Sequence, residues 1–495
     1  MQAERVPVIA ACGEVTDRPS ELYHALEPLA LMETALRRAE HAAGGAILSD
    51  MDSLDVVNLI SWPYAAPADA LCQRLGIRPA RRRYGEVGGE TPLRFIHEAA
   101  ARIARGESRV AAICGGEAHL SAARAARHGV HLPWTPQPTT AAPSVRGQDT
   151  ANPLAKAVGA HLPVAVYPFY ENAAAHALGI SPAQALRESG DLWSGMSHVA
   201  AANPMAWYDY PFAAEEIITV GPANRMIAHP YRKLMVANIG VNQGAAIILT
   251  SLAHARTLGL DDGRLIFVHG SYSAEEPVDY LQRDGFDHCT ARDVVLERSR
   301  AAHPNGFEHV EIYSCFPCVP KAARRTLGLD QDNRCSVTGG LTFFGAPLNN
   351  YMSHAVAAMA RQLVEKPGNA LLYGQGGFMT KHHALIVGTS PSEQSWIAAP
   401  TSLGDVAAAR YGKCPRVVAD PHGEGVIETH LVIHDRDGRR RGVVMLRLDG
   451  GAARTLALVN DDEVGELEQE SVFAIGRRGH VSTPSDGIPR WVFAA

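Results

Sequence analysis

The sequence predicts an α/β protein made of two similar βαβ-rich halves, with a loop region inserted in the first half and a small β-barrel at the C-terminus. Three observations lead there. Short apolar strands alternate with amphipathic helices through most of the chain, the pattern of a sheet covered by helices. One unit occurs twice: a Gly-rich turn, a Pro-Leu pair, an Ala-rich helix and a strand ending in two glycines. Beyond residue 400 the pattern changes to period-two alternation between short turns.

Taken in order, PVIAACGE reads as a strand, LEPLALMETALRRAEHA carries apolar residues at helical spacing, and MDSLDVVNLI leads into a second strand. GEVGGETPLRFIHE is a turn into an Ala-rich helix that runs to about Gly106, and the strand VAAICGGE follows, ending in Gly115-Gly116. From His128 to Asp149 the composition turns to Pro and Thr, which is loop. An irregular, aromatic-rich insertion (YPFYENAAAHALG, NPMAWYDYPF) is expected up to about Met235. Regular pattern resumes with MVANIGVNQGAAIILTS and RLIFVHGSYS. GGLTFFGAPLNNYMSHAVAAMARQL then repeats the turn and helix, and NALLYGQGG repeats the strand, ending in Gly376-Gly377. Expected boundaries are 1–260 for the first half with its insertion at about 128–235, 261–390 for the second half, and 400–495 for the module. In that module VIETHLVIHD, RGVVMLRLD and RTLALVN are strands, DRDG is a hairpin turn, and VFAIGRRGHVS and PRWVFA complete about five strands of an OB-like barrel. A cleavable linker is expected in SPSEQSWIAAPTSLGD.

Composition excludes several functions. With 495 residues, 46% hydrophobic and 20% charged, and a net charge of −6, the chain has no basic footprint for nucleic acid or anionic membrane. Arg439-Arg440-Arg441 adjoins a turn holding Asp435 and Asp437 and lacks an aromatic platform, so it reads as solvated turn. No apolar run approaches bilayer length, and MQAERVPVIAACGE lacks the features of a signal peptide. Eight scattered cysteines fit reduced thiols and a cytoplasmic setting.

The candidate chemistry is sparse. Cys315-Phe-Pro-Cys318 follows a strand and opens a helix, the context that suits a reactive thiol at Cys315, but no thioredoxin-sized unit surrounds it. A zinc site would need two more ligands, and only Cys335 lies near. No phosphate-binding or nucleotide fingerprint is present, nor a GxSxG elbow. Lys381-His382-His383 follows the second glycine-ended strand, so one imidazole, His382, could face a cleft while its neighbour packs or meets solvent.

The stretches GGETP, GGEAHLS, NRMIAHPYRKLM, IYSCFP, VTGGLTFFGAPLNNY and GGFMTKH together resemble the thiolase superfamily. The resemblance is strongest to thiolase-like proteins of type 1, often labelled acetyl-CoA acetyltransferases. It covers residues 5–390, and the tail fits the added C-terminal domain of that group. It implies a duplicated fold layered α/β/α/β/α and an acyl-CoA thioester as substrate, with no cofactor beyond the coenzyme A it carries. It also places the active site at the helix entrances and strand ends. Carried over by residue, it puts Gly89 at the acyl-accepting cysteine, Ala346 at the activating histidine of Gly-His-Pro, and Gly374 at the second, proton-carrying cysteine. The Asn-Glu-Ala-Phe or His-Asp-Cys-Phe segment becomes Tyr313-Ser314-Cys315-Phe316. Acyl-enzyme formation by the usual route is then excluded. Gly376 and Gly377 remain to bind a thioester oxyanion through N–H groups. Titratable candidates are Tyr313, Cys315, His382 and Glu90, with Gly89, Ser314, Ala346, Gly374, Gly376 and Gly377 as the substrate-binding frame. Related aldolases that work with an OB-containing partner carry a tyrosine near this position, so aldol or retro-aldol chemistry on a β-hydroxyacyl-CoA is one alternative. Non-catalytic acyl-CoA binding is another. The resemblance is compatible with a homodimer or a monomer.

Overall fold

A computed structural model describes residues 5–139, 144–392 and 401–494. Its strands are β1 (Pro7–Thr16), β2 (Ser53–Val56), β3 (Arg81–Tyr84), β4 (Val110–Ala118), β5 (Met226–His229), β6 (Asn242–Ser251), β7 (Ile266–Glu275), β8 (His309–Ile312), β9 (Asn369–Gly376) and β10 (Lys381–Gly388). The C-terminal region adds β11 (Gly423–His434), β12 (Arg440–Leu448), β13 (Ala453–Val459), β14 (Arg478–Ser482) and β15 (Arg490–Phe493). The helices that matter are α1 (Pro28–Ala42), α2 (Pro67–Leu75), α3 (Thr91–Arg105), α4 (Pro163–Ala177), α5 (Pro182–Ala202), α6 (Thr290–Ala302), α7 (Cys318–Leu327) and α8 (Tyr351–Glu365).

The duplication expected from the repeated turn-helix-strand unit is visible in the sheet. Its order is β3-β2-β4-β6-β1-β7-β10-β9-β8, which reads the same outward from the centre on both sides apart from one strand that the second half lacks. Directions agree as well: β2 with β4 and β8 with β9 are parallel, while β4 with β6 and β9 with β10 are antiparallel. The halves meet between β1 and β7, where only Val8 pairs Phe267 and Ile9 pairs Ile266. α3 and α8 touch each other and strands of both halves, so they form the middle layer. α1 covers the first half, and α6 and α7 cover the second, giving the five-layered α/β/α/β/α arrangement. Ala-rich helices suit that middle layer because small side chains let two sheet faces approach; α3 buries Ala99, Ala100 and Ala101 together.

The insertion corrects one expectation. It is not irregular: α4 and α5 span fifteen and twenty-one residues. α4 is buried from Ala165 to Ala173 without interruption, so its sequence shows no amphipathic stripe. α5 opens on a capping box, with Ser181 accepting from the Gln184 N–H and Gln184 reaching back to the Ser181 N–H.

The tail closes a five-stranded barrel, β11-β12-β13-β15-β14 and back to β11, in which β13 and β15 run parallel and the other neighbours antiparallel. The barrel does not stand apart. β5 of the insertion adds to β11 as a further antiparallel strand, with His229 opposite Val432. Leu431, Val443, Met445 and Leu456 of the barrel belong to the same apolar core as Phe169, Tyr170 and Phe286 of the body. Arg454 is fully buried at this junction, paired with Glu428 and donating to the Leu281 carbonyl at 2.8 Å. Arg439, Arg440 and Arg441 pair with Asp437, Glu468 and Asp435. The expected linker lies mostly at 393–400, outside the described residues. Among the described residues no helix is long and apolar enough to cross a membrane.

Candidate functional site

The elbow before α3 is held by the other half of the molecule. Gly88 N–H donates to Asn349 Oδ1 at 3.0 Å, and Asn349 Nδ2 donates to the Asn58 carbonyl at 3.1 Å. Asn349 shares its loop with Ala346, whose N–H donates to the Asn238 carbonyl at 2.8 Å. The loop therefore meets the elbow through an amide, where the resemblance to thiolases implied a histidine.

Gly89 sits with no room for a side chain. A Cβ there would lie 2.5 Å from the Gln375 carbonyl oxygen, 2.5 Å from the Tyr313 hydroxyl and 2.7 Å from Tyr313 Cζ. The phenol of Tyr313, from the end of β8 in the second half, fills the space a nucleophile at 89 would use. Its N–H is fixed to the Tyr373 carbonyl at 2.9 Å and its ring stands edge-on to Tyr351. The Tyr313 ring is part-buried, and its hydroxyl has no hydrogen-bond partner among the described residues. Burial, followed by Cys315 and Glu90, pushes the phenol above its ordinary range, so it stays protonated and can donate.

Glu90 lies on the other side of the elbow and is 4% exposed. Its carboxyl is lodged between Gly88 and Gly376, where a Cβ on either glycine would collide with it. A Cβ on Gly374 would come within 3.1 Å of Glu90 Cα. Glu90 therefore lies over the strand end that the resemblance assigns to a second cysteine. Its Oε2 is buried without a partner, and burial raises the carboxyl while Lys381 opposes the rise. The residue borders a cavity of about 320 Å³ that also meets Glu86, Arg94, Glu275 and Lys381.

Gln375 points to the opposite face. Its Nε2 donates to the Tyr167 hydroxyl at 2.8 Å and to Cys315 Sγ at 3.2 Å. Tyr167 in turn donates to the Gly377 carbonyl at 3.2 Å and stacks on Phe316. Gly377 takes a positive φ of 67°, which turns the chain sharply after β9. Ser314 is buried and accepts from the Leu341 N–H at 3.1 Å, holding the Gly339-Gly340 turn in place.

Cys315 is not the reactive thiol expected from its place between strand and helix. It is buried, and burial pushes its thiol up to about 12. The desolvation outweighs the pull of the helix N-terminus, which leaves the group a neutral thiol. Cys318 is likewise buried and free, so the pair forms no disulfide. Among the described residues no cluster of His, Cys, Asp or Glu is arranged to hold a metal.

His382 and His383 alternate across β10, and both are buried. His383 faces His97 on the α3 side, with ring centroids 6.4 Å apart. His382 faces away from the elbow, where Nδ1 shares a 2.7 Å hydrogen bond with the Tyr373 hydroxyl and Nε2 lies 3.3 Å from Cys289 Sγ. Burial, then Arg283 and Arg292, hold its imidazole well below its ordinary range and neutral. The structure thus gathers Gly89, Glu90, Tyr313, Gly374 and Gly376 at one elbow, with Cys315 behind them; His382 borders the same cavity as Glu90 but turns its imidazole to the far face. Sequence reasoning missed Asn349, Gln375 and Tyr167. Only Asn349 carried a signal, as a polar pair with Asn350 in an otherwise apolar stretch after Pro347-Leu348.

Comparison with known proteins places this geometry among relatives. Residues 408–487 match the thiolase-like protein type 1 additional C-terminal domain. A crystal structure of a monomeric SCP2-thiolase-like protein type 1 from Mycobacterium smegmatis is similar over 99% of both chains, with 27% identity and a TM-score of 0.82. The Ltp2–ChsH2(DUF35) aldolase is similar over 78% of this chain and 99% of its own, with 18% identity and a TM-score of 0.59. Human mitochondrial 3-ketoacyl-CoA thiolase is similar over 78% of this chain and all of its own, with 16% identity and a TM-score of 0.56. These last two likenesses concern the fold alone. No curated protein matched by sequence.

Proposed function

We propose, for a chain that is a thiolase-like protein type 1 by its fold and its added C-terminal domain, that it handles acyl-CoA thioesters without forming an acyl-enzyme. The observation that carries this reading is the Tyr313 phenol standing in the side-chain space of Gly89 with its hydroxyl unpartnered. A covalent thiolase step needs a nucleophile at the elbow and a base beside it; a protonated phenol there supports hydrogen bonding to a thioester or β-oxygen instead. Coenzyme A enters as part of the substrate, and no other cofactor is proposed.

The chemistry that these groups suit is carbon–carbon cleavage or formation on a β-hydroxyacyl-CoA. In the cleavage direction the β-hydroxyl proton passes to the Glu90 carboxylate, and the Cα–Cβ bond breaks to give a carbonyl product. Its electron pair becomes the thioester enolate, which accepts hydrogen bonds from Tyr313 and the strand-end N–H groups until the proton held by Glu90 is delivered to Cα, restoring the carboxylate. The raised Glu90 carboxyl is a stronger base than a solvated one, which supports this role. The likeness in fold to an aldolase is compatible with it. Non-catalytic acyl-CoA binding is the second reading, favoured by the absence of an acyl-accepting thiol.

A panel of acyl-CoA and β-hydroxyacyl-CoA substrates separates the two readings. The expected result is turnover that falls about 10²-fold or more in Tyr313→Phe with acyl-CoA affinity nearly intact. Binding without turnover in either protein selects the binding reading, and an acyl adduct surviving acid quench together with acetoacetyl-CoA thiolysis overturns both. The tail is read as an OB-like module because its parallel β13–β15 pair closes a five-stranded barrel. Eight free cysteines support a reducing, cytoplasmic setting. For assembly we propose a monomer, since the edge strand β3 carries Arg81, Arg82 and Arg83 in succession.

A further inference from the structure

The first glycine-ended strand closes on a buried carboxyl group that the elbow chemistry does not use. Glu117, at the end of β4, is fully buried. Its Oε1 accepts from the Ile60 N–H at 2.7 Å and its Oε2 from the Ser61 N–H at 2.8 Å, and the Ser61 hydroxyl adds a third hydrogen bond. Ser61 Oγ also accepts from the Ala118 N–H at 3.0 Å. These bonds tie down the loop after β2, which carries Asn58. Asn58 Nδ2 donates to the Gly85 carbonyl at 3.1 Å, and the Asn58 carbonyl holds the Asn349 amide whose oxygen takes the Gly88 N–H. Glu117 therefore lies at the root of the contacts that fix the elbow.

No cation compensates this group among the described residues. Gln243 lies opposite it on β6, and α1 presents Pro28, Leu31 and Met32 to the neighbouring Gly116. The Tyr84 phenol of β3 stays protonated, because burial first and Glu117 after it raise its range. His119, two residues further on, is lowered by burial and neutral. Burial outweighs the three donors and pushes the Glu117 carboxyl up to about 7. A solvated glutamic acid ionises near ~4.3. The closed loop thus holds the proton more tightly than an open one. Its stability is full below about 4.3 and is lost as pH rises to about 7. We propose that Glu117 is a positioning residue that keeps the loop on the elbow while its carboxyl is neutral and releases it on ionisation. The catalytic consequence rests on the proposed reading of the elbow; the movement of the loop does not.

The test is hydrogen exchange of the full chain, read by mass spectrometry on peptides covering residues 57–62, at about pH 5.5 and about pH 8. After correction for the intrinsic rate, opening is expected to be at least about tenfold easier at the higher pH. Glu117→Gln never ionises and keeps one acceptor, so it is expected to abolish that difference and to be better protected than the parent at the higher pH. A carboxylate that merely bonded the loop would give the reverse, faster exchange in Glu117→Gln at both pH values, and that result overturns the proposal. So does a parent protein with no pH difference. If Glu117→Gln fails to fold, Ser61→Ala decides: with one donor fewer the pH difference should grow several-fold, and an unchanged difference overturns the proposal. On the elbow reading, turnover of β-hydroxyacyl-CoA should lose its alkaline fall in Glu117→Gln, and a fall that persists there overturns the positioning role. Absence of turnover in parent and variant alike sinks the elbow reading, while the exchange result still decides the loop.

Discussion

At the scale of single residues, the site turns on one volume claimed by two side chains. Gly89 is in the sequence as a position without a side chain, and the resemblance to thiolases alone implied a nucleophile missing there. That Tyr313 fills the vacancy required the fold, because the two residues lie in different halves and meet only through the sheet. Gly89→Ala should cost about 1–3 kcal/mol in urea unfolding, as overpacking does. The Gln375 carbonyl is backbone and cannot rotate away. Gly89→Cys should for the same reason give no thiolysis of acetoacetyl-CoA. A buried histidine provides a second prediction. Burial and the neighbouring His229 push the His430 imidazole down to about 3. The folded state keeps this group neutral while the unfolded chain takes up a proton near 6.5, so stability is full above that value and lost as pH falls. Between pH 6.5 and 4.5 the group should remove about 2 kcal/mol. His430→Gln should flatten the acid side of the stability profile by that amount, and an unchanged slope would show that the imidazole is protonated in the fold.

Among the elements, β5 and β11 explain why the barrel is fixed to the body. Period-two patterning found the barrel strands individually, because alternation is a local property of sequence. The strand that joins them comes from MIAH, four residues with no pattern of their own, about two hundred positions upstream, so no local signal could mark it. α4 escaped for the complementary reason: a helix buried on every side loses its periodic stripe. The junction has a charged centre in Glu428, which takes both Arg447 and Arg454. Glu428→Ala leaves two guanidinium groups with less than their native partners, and breaking a buried pair of this kind costs about 3–5 kcal/mol. The expected readout is a lower midpoint for the whole protein, and loss confined to a barrel-specific probe would mean that the junction is weaker than its burial implies.

For the whole molecule, a shared core predicts shared unfolding. Barrel and body should melt in one transition by calorimetry and by a tryptophan probe at Trp491 in β15. A chain ending before Tyr411 exposes the face around Phe169, Tyr170 and Phe286, and it should aggregate rather than fold cleanly. The arginines of β3 also bear on assembly. Arg81 and Arg83 converge with Arg102 on the buried Asp55, and Arg82 reaches Asp69. Setting this edge against its own copy would require these ion pairs to rearrange, so sedimentation should give a single 53.0 kDa species.

The crowding between Gly89 and Tyr313 also has a history written into it. Once the phenol has moved in, a cysteine cannot return at the elbow unless position 313 shrinks and the strand carrying Gln375 shifts in the same step. Each change made alone passes through a less stable protein with no gain in activity, so selection would remove it. On the proposed function, the departure from thiolase chemistry therefore works as a ratchet. Among descendants of this chain, positions 89 and 313 should vary together in size, and bulk at one should appear only where it has been lost at the other.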